Sequence, residues 1–463
     1  MNRDFTDIVN SNKELIVKKL QELLQIKSVL DETTISDEMP FGKGINDCLD
    51  YMMNLASNDG FKTNRDGGYA GEVSYGNGDE IVGILCHLDV VPEGKNWTYP
   101  PYEARIVDNK IYARGSTDDK GPTLAAYFAL KFIKDAGIKL KKQIKIIFGT
   151  DEETGWRGIH HYLTKFPMPS IGFAPDCSFP LVYGEKGRIG IEISIDNVNG
   201  CALSTDALIS LQGGERYNIV IDEANAVARI DLSKEFSKYL EENNLSGDLV
   251  QEGSYYHYYI KGVASHAMEP EKGINAGTHL CNFFKNYSSN PLVHYVAKYH
   301  HLDHYLKNMH LDYTDYEMGP LTCNVGIIDI NSESQKVCLD IRYPVRYDQA
   351  KFEEEFKKLL SSFSLKISNM TNKQPHYVSP DEELVKKLYE AYVKHTGDTV
   401  NKPFTVGGGT YASILNKAVA YGMGFPGEEE LAHQRDEFLN IDSLLKGILI
   451  YIDAIIALGE EDA

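Results

Sequence analysis

Short apolar runs that each end in an acid or a histidine constrain this chain more than any other feature. EIVGILC runs into His87, with Asp89 two residues on; KKQIKIIFGT leads to Glu152-Glu153; IGFAP ends at Asp176. EIVGILC and KKQIKIIFGT have the length and apolarity of buried strands. Between them lies KGPTLAAYFALKFIKDAG, where Leu124, Phe128 and Phe132 recur at helical spacing ahead of Gly137, which reads as a helix with a glycine stop. Strand, helix, strand with reactive side chains at the strand ends is an α/β pattern. Open α/β sheets take ligands beyond the carboxyl ends of their strands.

The chain has 463 residues, too many for one ordinary core, so more than one domain is expected. Residues 12–27 place Leu15, Ile16, Leu20, Leu23 and Leu24 on one helical stripe. After about residue 185 the texture changes. RIGIEISI, SYYHYYIKGV, CNVGIIDI and KVCLDIRYPV are strand-like, with helical KEFSKYLEENN and DQAKFEEEFKKLLSSF among them, which is α+β character. Helical α/β texture returns near residue 380 with DEELVKKLYEAYVKH. The expected layout is a catalytic domain in two pieces, 1–184 and 380–463, interrupted by an inserted domain, 185–379.

Apolar content of 42% and charged content of 25% are those of a soluble globular protein. A net charge of −20 repels polyanions, so neither nucleic acid nor an anionic membrane is an expected partner. The N-terminus lacks the apolar core of a secretory signal. The apolar stretch ILIYIDAIIALG carries Asp453, with Lys446 just before it, and reads as a buried helix. The 7 cysteines (Cys48, Cys86, Cys177, Cys201, Cys281, Cys323, Cys338) are scattered and form no CxxC pair, which suits a reducing compartment and a cytoplasmic location.

His87 and Asp89 face the same way in extended chain, so Asp89 is placed to accept the second ring N–H of a ligating His87. In Asp118-Asp119-Lys120-Gly121, Asp118 reads as a helix cap and Asp119 as a ligand, or both as turn residues. A carboxylate that bridges two cations fixes their separation near ~3.5–4 Å. Glu152 and Glu153 cannot both be free bases in one pocket. If Glu153 binds a cation, Glu152 remains to take a proton from water. His433 lies far along the chain in EEELAHQRDEF. Each position taken alone is a surface or turn residue more often than a ligand. Together they are the inventory of a two-metal hydrolase.

HLDVVPEGKNW, RGSTDDKGPTLA, GTDEETG, FAPDCSFP and HQRDEF resemble, in the same order, the dinuclear metallopeptidase superfamily of aminoacylases, carnosinases, carboxypeptidase G and succinyl-diaminopimelate desuccinylase. The similarity to its PepV-type dipeptidases extends through GERYNIV, GVASHAMEPEKGINAG, DIRYPV, PHYV and GGGTYA, and so over essentially the whole chain. The resemblance implies a mixed-sheet α/β, zinc-peptidase-like catalytic domain interrupted by an enlarged α+β lid. It implies that His87 and Asp176 bind one cation, that Glu153 and His433 bind the other, and that Asp119 bridges them. Asp89 would orient His87, Glu152 would be the general base, and a cis peptide would follow the bridging residue at Asp119–Lys120. In the lid, His266 would stabilise the oxyanion, and Asn218 and Arg342 would bind substrate together with Gly408 of GGGTYA. The family's short lids dimerise and take this histidine from a partner subunit; an enlarged lid supplies it within one chain, so a monomer is expected. Ser413 and Phe438 depart from the Arg and Tyr frequent at these positions, which bears on substrate preference.

The expected reaction is hydrolysis of small unblocked dipeptides by a two-metal-activated water with Glu152 as base. Zinc is the first choice of cation, with manganese or cobalt accepted by the same ligands. The runner-up is an N-acyl-amino-acid deacylase or desuccinylase with the same metal site. A metal-dependent binding protein without catalysis would have no use for Glu152.

Overall fold

Two parallel pairings organise the first half of the chain. Ile81–His87 pairs in parallel with Gln143–Gly149, His87 opposite Gly149, and on its other side with Ile171–Ala174. Ala418–Ala420 adds in parallel beyond Ile171–Ala174. Ala70–Tyr75 and then Lys62–Asp66 extend the opposite side in antiparallel sense. The central strands are buried along nearly their whole length, which is why they read as continuous apolar runs and not as alternating ones. The structure, a computed structural model, describes residues 4–195 and 206–460. Cys201 lies outside the described residues, and no disulfide joins the other cysteines.

The helix Lys120–Asp135 is apolar almost all round, with Leu124, Phe128 and Phe132 buried, and it packs against the C-terminal helix Ile441–Gly459. Lys13–Leu24 is the N-terminal amphipathic helix. Ile16, Leu20, Leu23 and Leu24 are buried, but Leu15 is 41% exposed and lies off the stripe. Among the described residues no helix is long and apolar enough to cross a membrane. Asp453 instead meets Lys394 at 2.7 Å and His395 on the helix Glu383–Thr396.

The chain divides into two units. Unit 1 comprises Met1–Gly184, Tyr377–Phe404 and Gly409–Ala463. Unit 2 comprises Glu185–His376 and the short segment Thr405–Gly408. The second piece of unit 1 begins at Tyr377, and Gly407 and Gly408 of GGGTYA fall in unit 2. Unit 2 is an 8-stranded antiparallel sheet with its own apolar core, and the helices Ala276–Phe284, Pro291–Tyr299 and Gln349–Ser361 contribute to that core.

Candidate metal centre

The reactive side chains of unit 1 gather beyond the carboxyl ends of its parallel strands. His87 is the last residue of its strand and is 1% exposed. Its Nδ1–H donates to the backbone carbonyl of Asp89 at 3.0 Å, which fixes the tautomer and turns Nε2 toward the site. The Asp89 carboxylate has another task. Its oxygens accept the backbone N–H groups of Glu152 and Glu153, both at 3.0 Å, and lie no closer than 3.6 Å to His87 Nδ1. Asp89 thus faces the His87 ring through its carbonyl and, at 3.6 Å, through its carboxylate, and the carboxylate also fixes the turn that carries the two glutamates. Asp151 locks the same turn from beneath, taking bonds from Arg157 N, Nε and Nη2. Gly149 leads into this turn because the buried ring of Tyr411 lies where a Cβ would stand, 2.5 Å away.

The aspartate between the histidines is Asp118 and not Asp119. Asp118 Oδ1 lies 3.0 Å from His87 Nε2, and its Oδ2 lies 2.9 Å from His433 Nε2. Asp119 opens the helix Lys120–Asp135 with its side chain turned inward, where Oδ2 accepts His87 N–H at 3.1 Å and the Thr123 hydroxyl at 3.0 Å. It braces the strand end from behind. The cis peptide is likewise Asp118–Asp119 and not Asp119–Lys120. The sequence held no internal signal for this choice, since either aspartate of the pair fits a loop-to-helix junction.

Candidate ligand atoms fall into two groups, each with its atoms within 4.8 Å of one another: His87, Glu152 and Asp176, and Asp118, Glu153 and His433. Asp176 Oδ2 is 3.7 Å from His87 Nε2, and Glu153 Oε1 is 3.0 Å from His433 Nε2. His433 is delivered by a loop in which it adopts φ 64°, a left-handed conformation uncommon for a residue with a Cβ and frequent at functional sites.

Burial dominates the electrostatics. It pushes the carboxyls of Asp176 and Asp119 well above the ordinary range, and the charge of Asp118 adds to both shifts. Burial, then the charges of Glu153, Asp89 and Asp118, pushes Glu152 up to about 8, and Glu153 rises by burial and the charge of Asp118. For Asp118 burial acts the same way, but the imidazoles of His433 and His87 beside it outweigh burial and hold the group well below the carboxylate range. Burial opposes charge on both imidazoles as well. Asp118 and Asp89 nonetheless hold His87 well above its usual value, and Asp118 and Glu153 raise His433 to about 11. His87 Nε2 is buried without a hydrogen-bond partner, although Asp118 lies close to it. Imidazole nitrogens and carboxylate oxygens in two groups, crowded acids and an orphaned ring nitrogen make a donor set that fits a pair of divalent cations.

In unit 2, Ala267 N–H donates to Asn218 O at 2.9 Å, so the GERYNIV and ASHAMEP segments lie side by side. His266 Nδ1 accepts Met268 N–H at 3.1 Å; a neutral ring then carries its proton on Nε2. Arg342 is opposite Thr322 in the sheet register, and Thr322 Oγ1 donates to Ala267 O at 3.3 Å. The Arg342 guanidinium grips Asp340 through Nε at 2.6 Å and Nη2 at 3.2 Å, and its Nη1 donates to Gly407 O at 3.0 Å. Gly407 sits against Met268, where a Cβ would meet the Met268 Cβ at 2.6 Å, and Gly408 beside it has open space around its own Cβ position. Unit 2 thus connects Asn218, His266, Arg342 and the Gly407–Gly408 turn.

A family model described as peptidase family M20/M25/M40 matches residues 83–457. Two bacterial relatives, each named a putative dipeptidase, align over nearly the whole chain. The one from Staphylococcus haemolyticus is 37% identical over 96% of this chain and 97% of its own. The one from Bacillus subtilis is 38% identical over 97% and 98%. The solved structure of human carnosine dipeptidase 1 superposes with a TM-score of 0.57 at 15% identity, over 98% of each chain, which shows a shared fold.

Proposed function

Because the chain belongs to peptidase family M20/M25/M40, we propose that this peptide-bond hydrolase is a metal-dependent dipeptidase acting on small unblocked dipeptides. The observation that carries the reading is the meeting of two donor groups at Asp118, one oxygen toward each histidine. His87 and Asp176 would hold one divalent cation, Glu153 and His433 the other, with Asp118 between them. Bound there, the cations supply positive charge that polarises the scissile carbonyl and acidifies water. Zinc suits the donors, and manganese or cobalt can replace it.

The protein's own residues divide the remaining work. Glu152, its backbone N–H held by Asp89, accepts a proton from the attacking water at its carboxylate and returns it to the leaving nitrogen as the C–N bond breaks. His266, with Nδ1 taken by Met268 N–H, presents Nε2–H to the developing oxyanion. Arg342, with three of its five N–H groups engaged, keeps an N–H on each terminal nitrogen for the carboxylate of the dipeptide. Asn218 and Gly408 contact the substrate backbone. The large size of unit 2, Glu185–His376, is that of the enlarged lids that supply this histidine within one chain, which supports a self-sufficient monomer. Cysteines held as thiols among the described residues support a reducing, cytoplasmic setting.

The test is a panel of dipeptides and their N-acetylated forms, assayed with added zinc or manganese. Hydrolysis of the free dipeptides is the expected result. Cleavage confined to the acetylated forms would move the activity to the deacylases.

A further inference from the structure

Glu437 is fully buried, yet its carboxylate is surrounded by donors. Oε2 accepts Arg114 Nη1 at 2.6 Å and Gly115 N–H at 3.1 Å. Oε1 accepts Thr117 N–H at 2.8 Å, the Thr117 hydroxyl at 2.9 Å and Asp118 N–H at 3.3 Å. All of these donors belong to the turn that presents Asp118, while Glu437 itself follows His433 by a few residues. We infer that Glu437 is a positioning residue: its carboxylate ties the Asp118 turn to the His433 segment and so keeps the metal-binding groups of both at ligating distance.

This role rests on the metal centre proposed above, and it differs from simple packing. The same two stretches are already joined without the side chain. Phe438–Asn440 pairs with Lys110–Tyr112, Ala113 N–H donates to Glu437 O at 3.0 Å, and Asp436 accepts Thr98 N–H at 2.6 Å. Those bonds hold the strands, while the N–H groups of Gly115, Thr117 and Asp118 are taken by the Glu437 carboxylate. A buried carboxylate is costly unless donors saturate it, and an apolar side chain could fill the same volume. What the carboxylate adds is acceptor capacity directed at one turn. An amide in its place keeps a single acceptor oxygen and sets an NH2 group against N–H donors, so the turn must move and Asp118 with it.

The experiment uses the full chain, stripped of metal and titrated with zinc against a chromophoric chelator. Kinetics on a free dipeptide and metal-free melting curves accompany the titration. For Glu437→Gln the expected result is zinc affinity about 10–100-fold weaker, the scale of losses from removing outer partners of metal ligands. A fall in kcat with little change in KM should accompany it. Thr117→Val, which removes only one of the bonds, should weaken zinc in the same direction by less, and it decides the matter if Glu437→Gln does not fold. Wild-type zinc affinity in Glu437→Gln, whatever its melting temperature, overturns the inference, and so does unchanged affinity in Thr117→Val when that variant has to decide. A wild-type chain that binds no zinc overturns the metal centre itself, a distinct result read before any variant is made.

Discussion

Replacing Asp118 or Asp119 separately by asparagine tests the site where the two neighbours differ most. Asp118 places one oxygen 3.0 Å from His87 Nε2 and the other 2.9 Å from His433 Nε2. The amide introduced by Asp118→Asn would keep one acceptor oxygen, lose the negative charge and turn an NH2 group toward one of the two donor groups. A bond to a charged partner is worth ~1.5–3 kcal/mol, or about 10- to 150-fold in affinity, so each cation should be weakened by at least that factor. Asp119 accepts only neutral donors, His87 N–H and the Thr123 hydroxyl, and burial already pushes its carboxyl well above the usual range. Asparagine can accept the same bonds, and the change in affinity should stay within about threefold. Metal content by elemental analysis, zinc affinity by chelator competition and kcat/KM on a dipeptide report the outcome. Tight binding of both cations by Asp118→Asn, with loss of both in Asp119→Asn, would refute the geometric assignment.

Glu152→Gln should abolish turnover while both cations remain bound; substantial residual hydrolysis in that variant removes Glu152 as the base. His266→Ala should lower kcat by about 10²–10³ with metal content unchanged, since it deletes an oxyanion donor and no ligand. The metal-free protein should lose stability as pH rises. Glu152 is raised from 4.5 to about 8, so the folded state holds a proton that the unfolded state has released, and its contribution is complete below about pH 4.5 and gone above about pH 8. Zinc should reverse that trend, and the melting-temperature gain on adding zinc should grow from pH 5 to pH 8; a gain that shrinks over this range would contradict the reading.

Much of the site was legible because its residues carry local signals. His87, Glu152, Glu153 and Asp176 each follow an apolar run, and a buried strand that ends at a reactive side chain places it at the mouth of an α/β sheet. The choice between Asp118 and Asp119 was not legible, because adjacent residues share one local context and differ only in which way the turn throws each side chain. Glu437 was missed for a related reason. Its partners, Arg114 to Asp118, lie more than three hundred residues away along the chain, and nothing beside Glu437 announces that it is buried.

By itself the sequence determined the class of fold, the interruption of one α/β unit by an α+β unit, and the kind of side chain offered at each strand end. These follow from apolar periodicity and the order of motifs, which are properties of neighbours in the chain. Only the tertiary structure decided which aspartate stands between the histidines, that the Asp89 carboxylate also holds the glutamate turn, and that Glu437 joins two distant segments. Those outcomes depend on where a carboxylate's acceptor lone pairs find donors in a closed interior. Burial makes each such bond obligatory without leaving a trace in the residues to either side.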